Sequence, residues 1–351
     1  MKIITFFLIY LFIIFVFVSC DPDDTSENNN ISFNKNEGIF ILNEGLFNQA
    51  NASVFYYNFD KDSIYEDIFQ SKNNEKTGDV LQSMFIIDNT GYLVINNSGL
   101  IRKVNLQDFK QLQLVAGLVS PRQFFRVDNT KAYISDIFSN KIKIYSLPDD
   151  KITGEILTGR WTENFASNNE KVYVTCPWIF SKPISKIVYE IDPESDKITD
   201  SLITGINPTN ISIDKNGYLW TLCAGNSIEG IKGSLFKTDL KTKKNVDSVH
   251  FDQVLNIFNT GMNMNSKKDS LFVLYNDVMM ISTTGKIKTE PVIKRQKENF
   301  YGFNIDNQRN LVYLTDALNF ASRGKVLIYT KKGLLIKTIN AGLIPNNVIS
   351  Y

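Results

Sequence analysis

The chain has very few of the side chains that catalytic and metal sites most often use. Its 351 residues include one histidine, His250, and three cysteines. Common zinc sites need several Cys or His ligands close together, so this composition excludes them. A triad that depends on histidine would rest wholly on His250, whose alternating surroundings are typical of an outer strand near a turn. We therefore expect no catalytic residue, no metal and no cofactor, and hence a protein that is not an enzyme.

An excess of charge and a helical pattern are also missing. Lys and Arg number 38, Asp and Glu number 37, and the formal net charge is +1. Without a basic stripe, a nucleic-acid partner is not expected. After residue 20, no segment shows a sustained 3.6-residue apolar period, so helix should be nearly absent.

The chain contains instead a repeated strand pattern. A short apolar strand runs into an Asp or Asn anchor, and a second alternating strand follows. The anchors are Asp88, Asp128, Asn168, Asp214, Asn265 and Asp306, with spacings of 40, 40, 46, 51 and 41 residues. A period of roughly 40–50 residues that contains only strands is typical of a β-propeller with one four-stranded blade per period. Each anchor is expected to cap a turn by bonding nearby backbone amides, with calcium binding as the less favoured alternative.

The two ends of the repeat array fit a closed ring. Val348–Tyr351 is a truncated seventh copy of the pattern, and Ile344–Ser350 resembles Ile206–Ser212, which opens the fifth unit. Gly38–Asn43 looks like a second strand without a first. The fold class predicted is therefore all-β, a seven-bladed β-propeller in which the last residues supply the innermost strand of the first blade. Such closure hides two free sheet edges.

The segment ahead of the ring is typical of a secretory signal. One Lys, a long apolar run and Ser19-Cys20 resemble a bacterial lipoprotein signal, although Phe17 replaces the usual Leu. An uncleaved membrane anchor is the alternative. We assign residues 1–20 to a signal peptide that ends at the lipidated Cys20, 21–35 to a disordered acidic tether and 36–351 to the propeller.

The tether also bears on location. The acidic run that follows Cys20 resembles the surface-export signal of Bacteroidetes lipoproteins, which implies an outer-membrane protein, lipid-anchored and facing the cell surface. A solvated linker that faces the periplasm is the alternative. For Cys176 and Cys223, a disulfide in an oxidising compartment is conceivable. Two buried small apolar side chains are the favoured interpretation, because neighbouring blades rarely bring such pairs to bonding distance.

Long loops on one face carry many aromatic and amide side chains. Exposed aromatics at loop tips are costly unless they pack on neighbours or meet a ligand, so this face is a candidate recognition surface for a flat or large molecule. The candidate ligand-binding residues are Asn43, Asn96, Arg122, Asp136, Phe138, Trp161, Trp178, Tyr301, Phe320 and Arg323.

The opening of the propeller resembles a known family. Gly38–Gly45, read as Gly-Ile-Phe-Ile-Leu-Asn-Glu-Gly, then Asn48, Ala50 and Val54–Tyr57, is similar to the start of YncE-like propeller lipoproteins of Bacteroidetes, which include BtuG-like proteins. The resemblance implies capture of a scarce bulky nutrient, with cobalamin or another corrinoid first among the ligands, and its delivery to a TonB-dependent outer-membrane transporter. Haem and siderophores are other cargoes of such relatives.

Two alternatives from different classes remain open. A surface propeller can act as a scaffold that binds protein or glycan. A metal-dependent hydrolase or lyase would instead need several side chains to converge on the propeller axis. The residues that could do so end second strands in this interpretation: Glu44, Asn96, Asp136, Asp277 and Asp316.

Overall fold

Seven antiparallel sheets of four strands make up the protein. The computed structural model describes residues 33–168, 170–178, 184–257, 261–284, 287 and 289–351. Each sheet is one blade, numbered here from the blade that contains the first strand of the chain. The predicted fold class, an all-β seven-bladed propeller, is confirmed.

The first strand of every blade faces the axis, and most neighbouring first strands contact each other around it. In order from blade 2 to blade 7 and then blade 1, these innermost strands are β4 (Leu81–Ile87), β8 (Pro121–Arg126), β12 (Phe165–Ser167), β16 (Pro208–Ile213), β20 (Gly261–Met264), β24 (Phe300–Asp306) and β28 (Pro345–Ser350).

The second and third strands carry most of the buried side chains. The second strands are β1 (Gly38–Asn43), β5 (Thr90–Ile95), β9 (Lys131–Asp136), β13 (Val172–Cys176), β17 (Tyr218–Cys223), β21 (Ser270–Tyr275) and β25 (Leu311–Asp316). The third strands are β2 (Ser53–Asn58), β6 (Leu100–Asn105), β10 (Lys141–Ser146), β14 (Ile187–Asp192), β18 (Ser234–Asp239), β22 (Asp277–Ser282) and β26 (Arg323–Thr330).

The outer strands form the rim of the ring. They are β3 (Ser63–Tyr65), β7 (Gln111–Val115), β11 (Lys151–Leu157), β15 (Lys197–Ile203), β19 (Lys244–His250), β23 (Thr289–Ile293) and β27 (Leu335–Leu343). A single short helix, α1 (Ile68–Asn73), lies between blades 1 and 2 in the part of the chain that the structure describes. Helix is thus nearly absent, as the sequence predicts.

Ring closure joins the two ends of the propeller. Strand β28 pairs antiparallel with β1, with Ser350 opposite Ile39 and Val348 opposite Ile41. The Tyr351 N–H extends the ladder by donating to the Gly38 carbonyl. Val348 is buried in the cluster that joins blades 7 and 1. The last residues therefore supply the missing innermost strand of blade 1, and the prediction from the tail is confirmed.

The Asp and Asn anchors cap the turns between first and second strands. The Asp214 carboxylate accepts from the Asn216 and Tyr218 N–H groups, and its other oxygen accepts from the Trp220 indole at 2.9 Å. Equivalent backbone caps occur at Asp128, Asn168, Asn265 and Asp306. Asp88 differs, because its own backbone takes the left-handed conformation with φ 53°. Capping is confirmed at five of the six anchors.

The hydrophobic core lies between blades. Six clusters each draw side chains from two neighbouring blades, and Phe40 of blade 1 packs on Phe109 of blade 2 at the remaining interface. Between blades 2 and 3, for example, Tyr92 stacks on Phe124 with ring centroids 4.2 Å apart, and Tyr145 meets Phe124 edge-on at 5.4 Å. Removing one blade would expose two apolar faces, so the ring folds as a unit.

The first described residue, Phe33, already packs against the propeller. Phe33 is buried against Phe40, Tyr56 and Phe109, and its ring meets Tyr56 edge-on at 4.9 Å. The predicted signal peptide (1–20), Cys20 and residues 21–32 of the predicted tether lie outside the described residues. A helix with the length and apolarity needed to cross a bilayer does not occur among the described residues.

Both cysteines of the ring are buried free thiols. Burial raises the pKa of Cys176 and of Cys223 to about 12, so neither is a reactive thiolate at neutral pH. The favoured prediction of two small buried side chains is confirmed in the structure.

Deleting residues 344–351 should open the ring. The truncation removes β28, its ladder with β1 and the buried Val348 side chain, so two sheet edges become free. We expect the melting midpoint to fall by about 10 °C or more. As a size-matched control, a chain without residues 21–28 should melt like the full chain; equal melting of the two deletions would show that closure does not stabilise the ring.

Stability should also depend on Asp306 in a pH-dependent way. Burial tends to raise the pKa of Asp306, but hydrogen bonds from Arg309, Tyr313 and Ser350 outweigh it and lower that pKa below the usual value. Its contribution is complete above the unfolded-state value of about 3.9 and is lost as pH falls through the folded value.

The Asp306→Asn variant should therefore be less stable than the wild type at pH 7, by about 1–3 kcal/mol. That difference should shrink as denaturation is repeated from pH 6 down to pH 3. Asp60→Asn, at an exposed turn, serves as the control and should match the wild type throughout. A gap between Asp306→Asn and wild type that stays constant with pH would contradict the assigned role.

Candidate functional site

The two faces of the ring differ in chemistry. We call the loop face the one formed by the loops between second and third strands and by the segments that lead into the innermost strands. The opposite, turn face carries the short capped turns. Exposed large apolar side chains on the loop face are Phe47, Val119, Phe138, Ile228, Leu318 and Phe320. On the turn face, among described residues, the comparable group is a single run that starts at Leu334 and continues into the outer strand β27 with Leu335 and Ile336.

Ion pairs between neighbouring blades mark the turn face instead. Lys103 pairs with Asp150 at 2.5 Å, and Lys131 of blade 3 pairs with Asp196 of blade 4 at 2.6 Å. These ion pairs and the Asp and Asn caps give the charged and polar groups of the turn face partners within the protein itself. The loop face therefore presents the larger unsatisfied apolar surface, which is the usual mark of an interaction site.

Three aromatic side chains form a continuous aromatic ridge on the loop face: Phe138, Trp161 and Trp178. The Phe138 ring meets Trp161 edge-on at 5.2 Å, and Trp161 lies 4.9 Å from Trp178 between centroids. Phe138 is 52 % exposed, while the two tryptophans are half-buried. The backbone N–H of Trp178 donates to the Asn207 side-chain oxygen at 3.0 Å, which links the backbone of the ridge to blade 5.

A second aromatic pair lies across the ring in blade 7. Tyr301 and Phe320 meet edge-on with centroids 5.2 Å apart. Beside them is a cavity of about 230 Å³, lined among others by Leu255, Tyr275 and Phe300. The predicted aromatics thus occupy one face, as two groups rather than as a single cluster.

Blades 5 and 6 fill the interval between these groups. A cavity of about 420 Å³ runs from Asn207, which holds Trp178, to Leu255, which also lines the cavity beside Tyr301. Ile228 stands at its edge and is 82 % exposed. The aromatic ridge, this cavity and the Tyr301 pair therefore form one arc around the loop face.

An axial cavity of about 220 Å³ opens at the centre of the same face. Its walls come from the first residues of the innermost strands, so all seven blades contribute. The polar side chains in the lining are Glu44, Gln82, Arg122, Gln123, Glu163, Asn164, Thr209, Asn210, Asn263, Tyr301, Asn304, Asn346 and Asn347. Gly302 permits the close approach of β24 to β28, because a Cβ there would lie 2.0 Å from the Asn346 carbonyl oxygen.

Arg122 is the only buried cation in the described part of this lining. Its guanidinium is 4 % exposed, donates from Nε to both Glu163 carboxylate oxygens at 2.8 Å and also contacts the Gln82 side chain. Burial raises the pKa of Glu163, and the Arg122 charge opposes that shift. The pair satisfies most of its own charge, which is what makes a buried ion pair tolerable.

Glu44 is the second carboxylate of the cavity. It accepts hydrogen bonds from the Tyr301 hydroxyl at 3.0 Å and from the Asn346 side chain at 3.0 Å. Burial raises the pKa of Glu44, while these two donors and the Arg122 charge partly oppose the shift. Burial and the neighbouring Glu44 charge also raise the pKa of Tyr301, so its hydroxyl stays a donor at neutral pH.

Several predicted ligand-binding residues are buried and bonded to the protein. The Asn43 side chain accepts from the Gly342 N–H and donates to Ser53, and Asn96 donates to Ser120 and to the Pro121 carbonyl. The geometry gives Asn43 and Asn96 the role of joining loops, and a ligand role for either stays a prediction.

Asp136 and Arg323 also have partners within the chain. The Asp136 carboxylate accepts the N–H groups of Ser120 and Phe138. Arg323 is half exposed at the edge of the loop face, where it pairs with Glu66 and lies 5.4 Å over the Phe55 ring. The structure therefore brings only Arg122 and Tyr301 of the predicted polar and aromatic residues to the axis.

The side chains that a metal site on the axis would need do not lie close together. No group of three His, Cys, Asp or Glu that could hold a metal ion occurs among the described residues. Asp277 opens the third strand β22 rather than ending a second strand, because the hairpin turns at Asn276 with φ 44°. His250 ends the outer strand β19 and is exposed, as predicted.

Sequence reasoning missed most of the axial lining. Gln82, Asn164, Asn210, Asn263 and Asn346 lie on or directly before innermost strands, and none was singled out. They stand at different distances from the anchors of their blades, so the repeat itself does not mark them.

A family model for a domain of unknown function, DUF5074, matches residues 37–249, which is more than half of the chain. No curated protein matches the chain significantly. The family match extends over blades 1 to 5 and does not name a ligand or a reaction.

Solved structures resemble the ring in fold. A quinonprotein alcohol dehydrogenase-like protein from Bacteroides thetaiotaomicron is 15% identical with a TM-score of 0.69, covering 92% of this chain and 79% of that chain. A functionally unknown protein from Desulfotomaculum acetoxidans is 10% identical with a TM-score of 0.62, covering 89% and 98%. Hydrazine synthase of Kuenenia stuttgartiensis is 17% identical with a TM-score of 0.61, covering 74% and 85%.

At these identities the structural likeness establishes the propeller fold alone. The resemblance to YncE-like and BtuG-like proteins stays a prediction. The sequence family, in contrast, is established, because its model matches more than half of the residues. The chain belongs to the DUF5074 family.

Proposed function

We propose that this protein is a non-catalytic surface lipoprotein that captures a bulky, partly planar nutrient on its loop face. The observation that carries the proposal is the arc of exposed and half-buried aromatics on that face, in contrast to the capped and ion-paired turn face. Aromatic side chains supply large contact area at low entropic cost, and they commonly dominate binding energy.

The rigidity of the ring supports capture rather than a loosely ordered contact. Trp178 is held by Asn207, and Phe138 follows Asp136, whose carboxylate accepts its N–H. A surface that is already ordered loses little conformational entropy when a ligand arrives. The aromatic ridge therefore offers preformed contact area to a flat ring system.

A corrinoid such as cobalamin is the ligand class that we put first, followed by haem and siderophores. This choice rests on the resemblance of Gly38–Gly45 to YncE-like and BtuG-like lipoproteins. The same resemblance supports a TonB-dependent outer-membrane transporter as the partner that receives the cargo. In this proposal the acyl chains on Cys20 hold the protein on the outer membrane, facing the cell surface.

Absence of turnover is part of the proposal. The single histidine ends the outer strand β19 at the rim of the ring, and both ring cysteines are buried with raised pKa values. The buried carboxylates of the axis are occupied by Arg122, Tyr301 and Asn346. These contacts favour a binding protein over a hydrolase.

Removing the tryptophans of the aromatic ridge should weaken cargo binding. We expect the double variant Trp161→Ala and Trp178→Ala to lose about 2 kcal/mol or more of corrinoid binding free energy, because large aromatic anchors act as hot spots. Calorimetric titration with cobalamin and cobinamide, followed by haem, measures the loss.

The matched control is Leu112→Ala with Val246→Ala, which truncates two exposed apolar side chains on outer strands. The control should bind like the wild type. If the Trp variant keeps its ligand affinity but loses association with the transporter, the ridge is a docking surface for protein. No tight binding of any of these ligands to the wild type would contradict capture.

Replacing Cys20 should release the protein from the membrane. In a Cys20→Ala variant no acyl chain can be attached, and we expect a soluble propeller that melts like the wild type. Cell fractionation and a thermal melt check both expectations.

Surface exposure needs a separate measurement. A protease added to intact cells should degrade the wild-type protein, with a known periplasmic protein as the protected control. Full protection in unbroken cells would place the propeller in the periplasm and contradict the surface location.

A further inference from the structure

The axial cavity offers hydrogen-bonding groups that the protein itself does not use. Gln123 of blade 3 and Asn164 of blade 4 line the cavity and are half-buried. Within the described residues, neither side-chain amide makes a hydrogen bond, although both backbones are bonded. Each amide carries donors and an acceptor that remain available to a molecule in the cavity.

Neighbouring groups extend this set. The Gln82 side chain accepts from Arg122 with its oxygen, which leaves its NH₂ group as a donor. The Asn347 oxygen accepts the Val348 N–H, and its NH₂ group likewise remains. The cavity wall therefore offers both donors and acceptors to a ligand.

Charge in the cavity is largely compensated. Arg122 and Glu163 form a close ion pair, with Nε 2.8 Å from each carboxylate oxygen. The Glu44 carboxylate is surrounded by the Tyr301 and Asn346 donors, and Arg122 acts on it through its charge. A strongly charged ligand would have to displace these contacts, whereas a neutral one would not.

Amide and carboxylate side chains arranged in this way can form hydrogen bonds with the hydroxyl groups of a ligand. A hydroxyl both donates and accepts, so it can bond to either end of an amide, while a planar apolar ring would leave these polar groups unpaired at a cost. The apolar part of the wall comes from Ile257, Met262, Phe303 and the Tyr301 ring.

The volume of the cavity further limits the ligands that it can hold. The cavity holds about 220 Å³, below the roughly 300–1,000 Å³ of pockets for drug-sized molecules. The innermost strands of seven blades fix its walls, so the cavity cannot widen without disturbing their ladders. A bulky planar cargo does not fit, but a molecule with one small ring does.

We propose that the axial cavity is a second binding site, separate from the aromatic ridge, for a small neutral polyhydroxylated molecule of monosaccharide size. Gln123 and Asn164 make the direct hydrogen bonds to its hydroxyls. Gln82 and Glu44 complete the set, and the Arg122–Glu163 pair holds the wall that carries Gln123 and Asn164.

The test is a titration of the full chain in a zwitterionic detergent that carries no sugar headgroup. Glucose, galactose, mannose and N-acetylglucosamine are the probes, and ligand-observed NMR and calorimetry measure binding. At least one sugar should bind with a Kd of about 1 mM or tighter. The double variant Gln123→Ala with Asn164→Ala should weaken that binding about tenfold or more.

Controls separate this site from the rest of the protein. Gln113→Ala changes an exposed amide on the outer strand β7 and should bind sugar like the wild type. Trp161→Ala with Trp178→Ala should also keep sugar affinity, so failure of the capture proposal and failure of this one are distinguishable. If the double variant has a lowered melting temperature, the single variants Gln123→Ala and Asn164→Ala replace it in the test. Each should bind sugar about threefold more weakly than the wild type.

Two results would overturn the proposal. One is the absence of saturable binding of all four sugars up to about 10 mM, which would leave a cavity that holds water only. The other is an unchanged sugar affinity in folded variants of Gln123 and Asn164.

Discussion

The structure depends on one backbone ladder, the pairing of β28 with β1. A ring of seven blades made from one chain has two free edges, and this ladder joins them. The same strand that closes the ring supplies Asn346, which donates to Glu44 in blade 1 and to the Leu81 and Gln82 carbonyls in blade 2. The strand that closes the ring therefore also supplies part of the wall of the axial cavity.

Burying charged side chains at the axis costs free energy, and their presence there bears on function. Apolar side chains at the same places would avoid the desolvation of Arg122, Glu163 and Glu44. The protein instead pairs the first two and surrounds the third with neutral donors. Natural sequences break the rules of core packing chiefly where a site requires it.

The two faces divide structural and binding roles. On the turn face, short connections let an Asp or Asn bond the backbone of its own turn, as Asp214 does for Asn216 and Tyr218. The loop face has longer connections, and its caps, such as Asp136, fix the base of each loop while the aromatic tips stay accessible. Sequence variation in such tips can alter the ligand without altering the ring.

The sequence by itself determined the blade count, the turn caps and the ring closure. The caps depend on residues that are close together in the chain, and the blade count and the closure follow from a repeat that can be aligned with itself. It also predicted that Phe138, Trp161 and Trp178 share a face, because Phe138 and Trp178 follow second strands, Trp161 leads into an innermost strand, and both kinds of loop lie on that face. Only the tertiary structure decided that Asn43 and Asn96 turn inward to bond loops, because side-chain direction depends on the path of those loops. It likewise brought Gln82, Arg122 and Glu163 together at the axis, because residues roughly a blade apart in sequence meet only when neighbouring blades pack side by side.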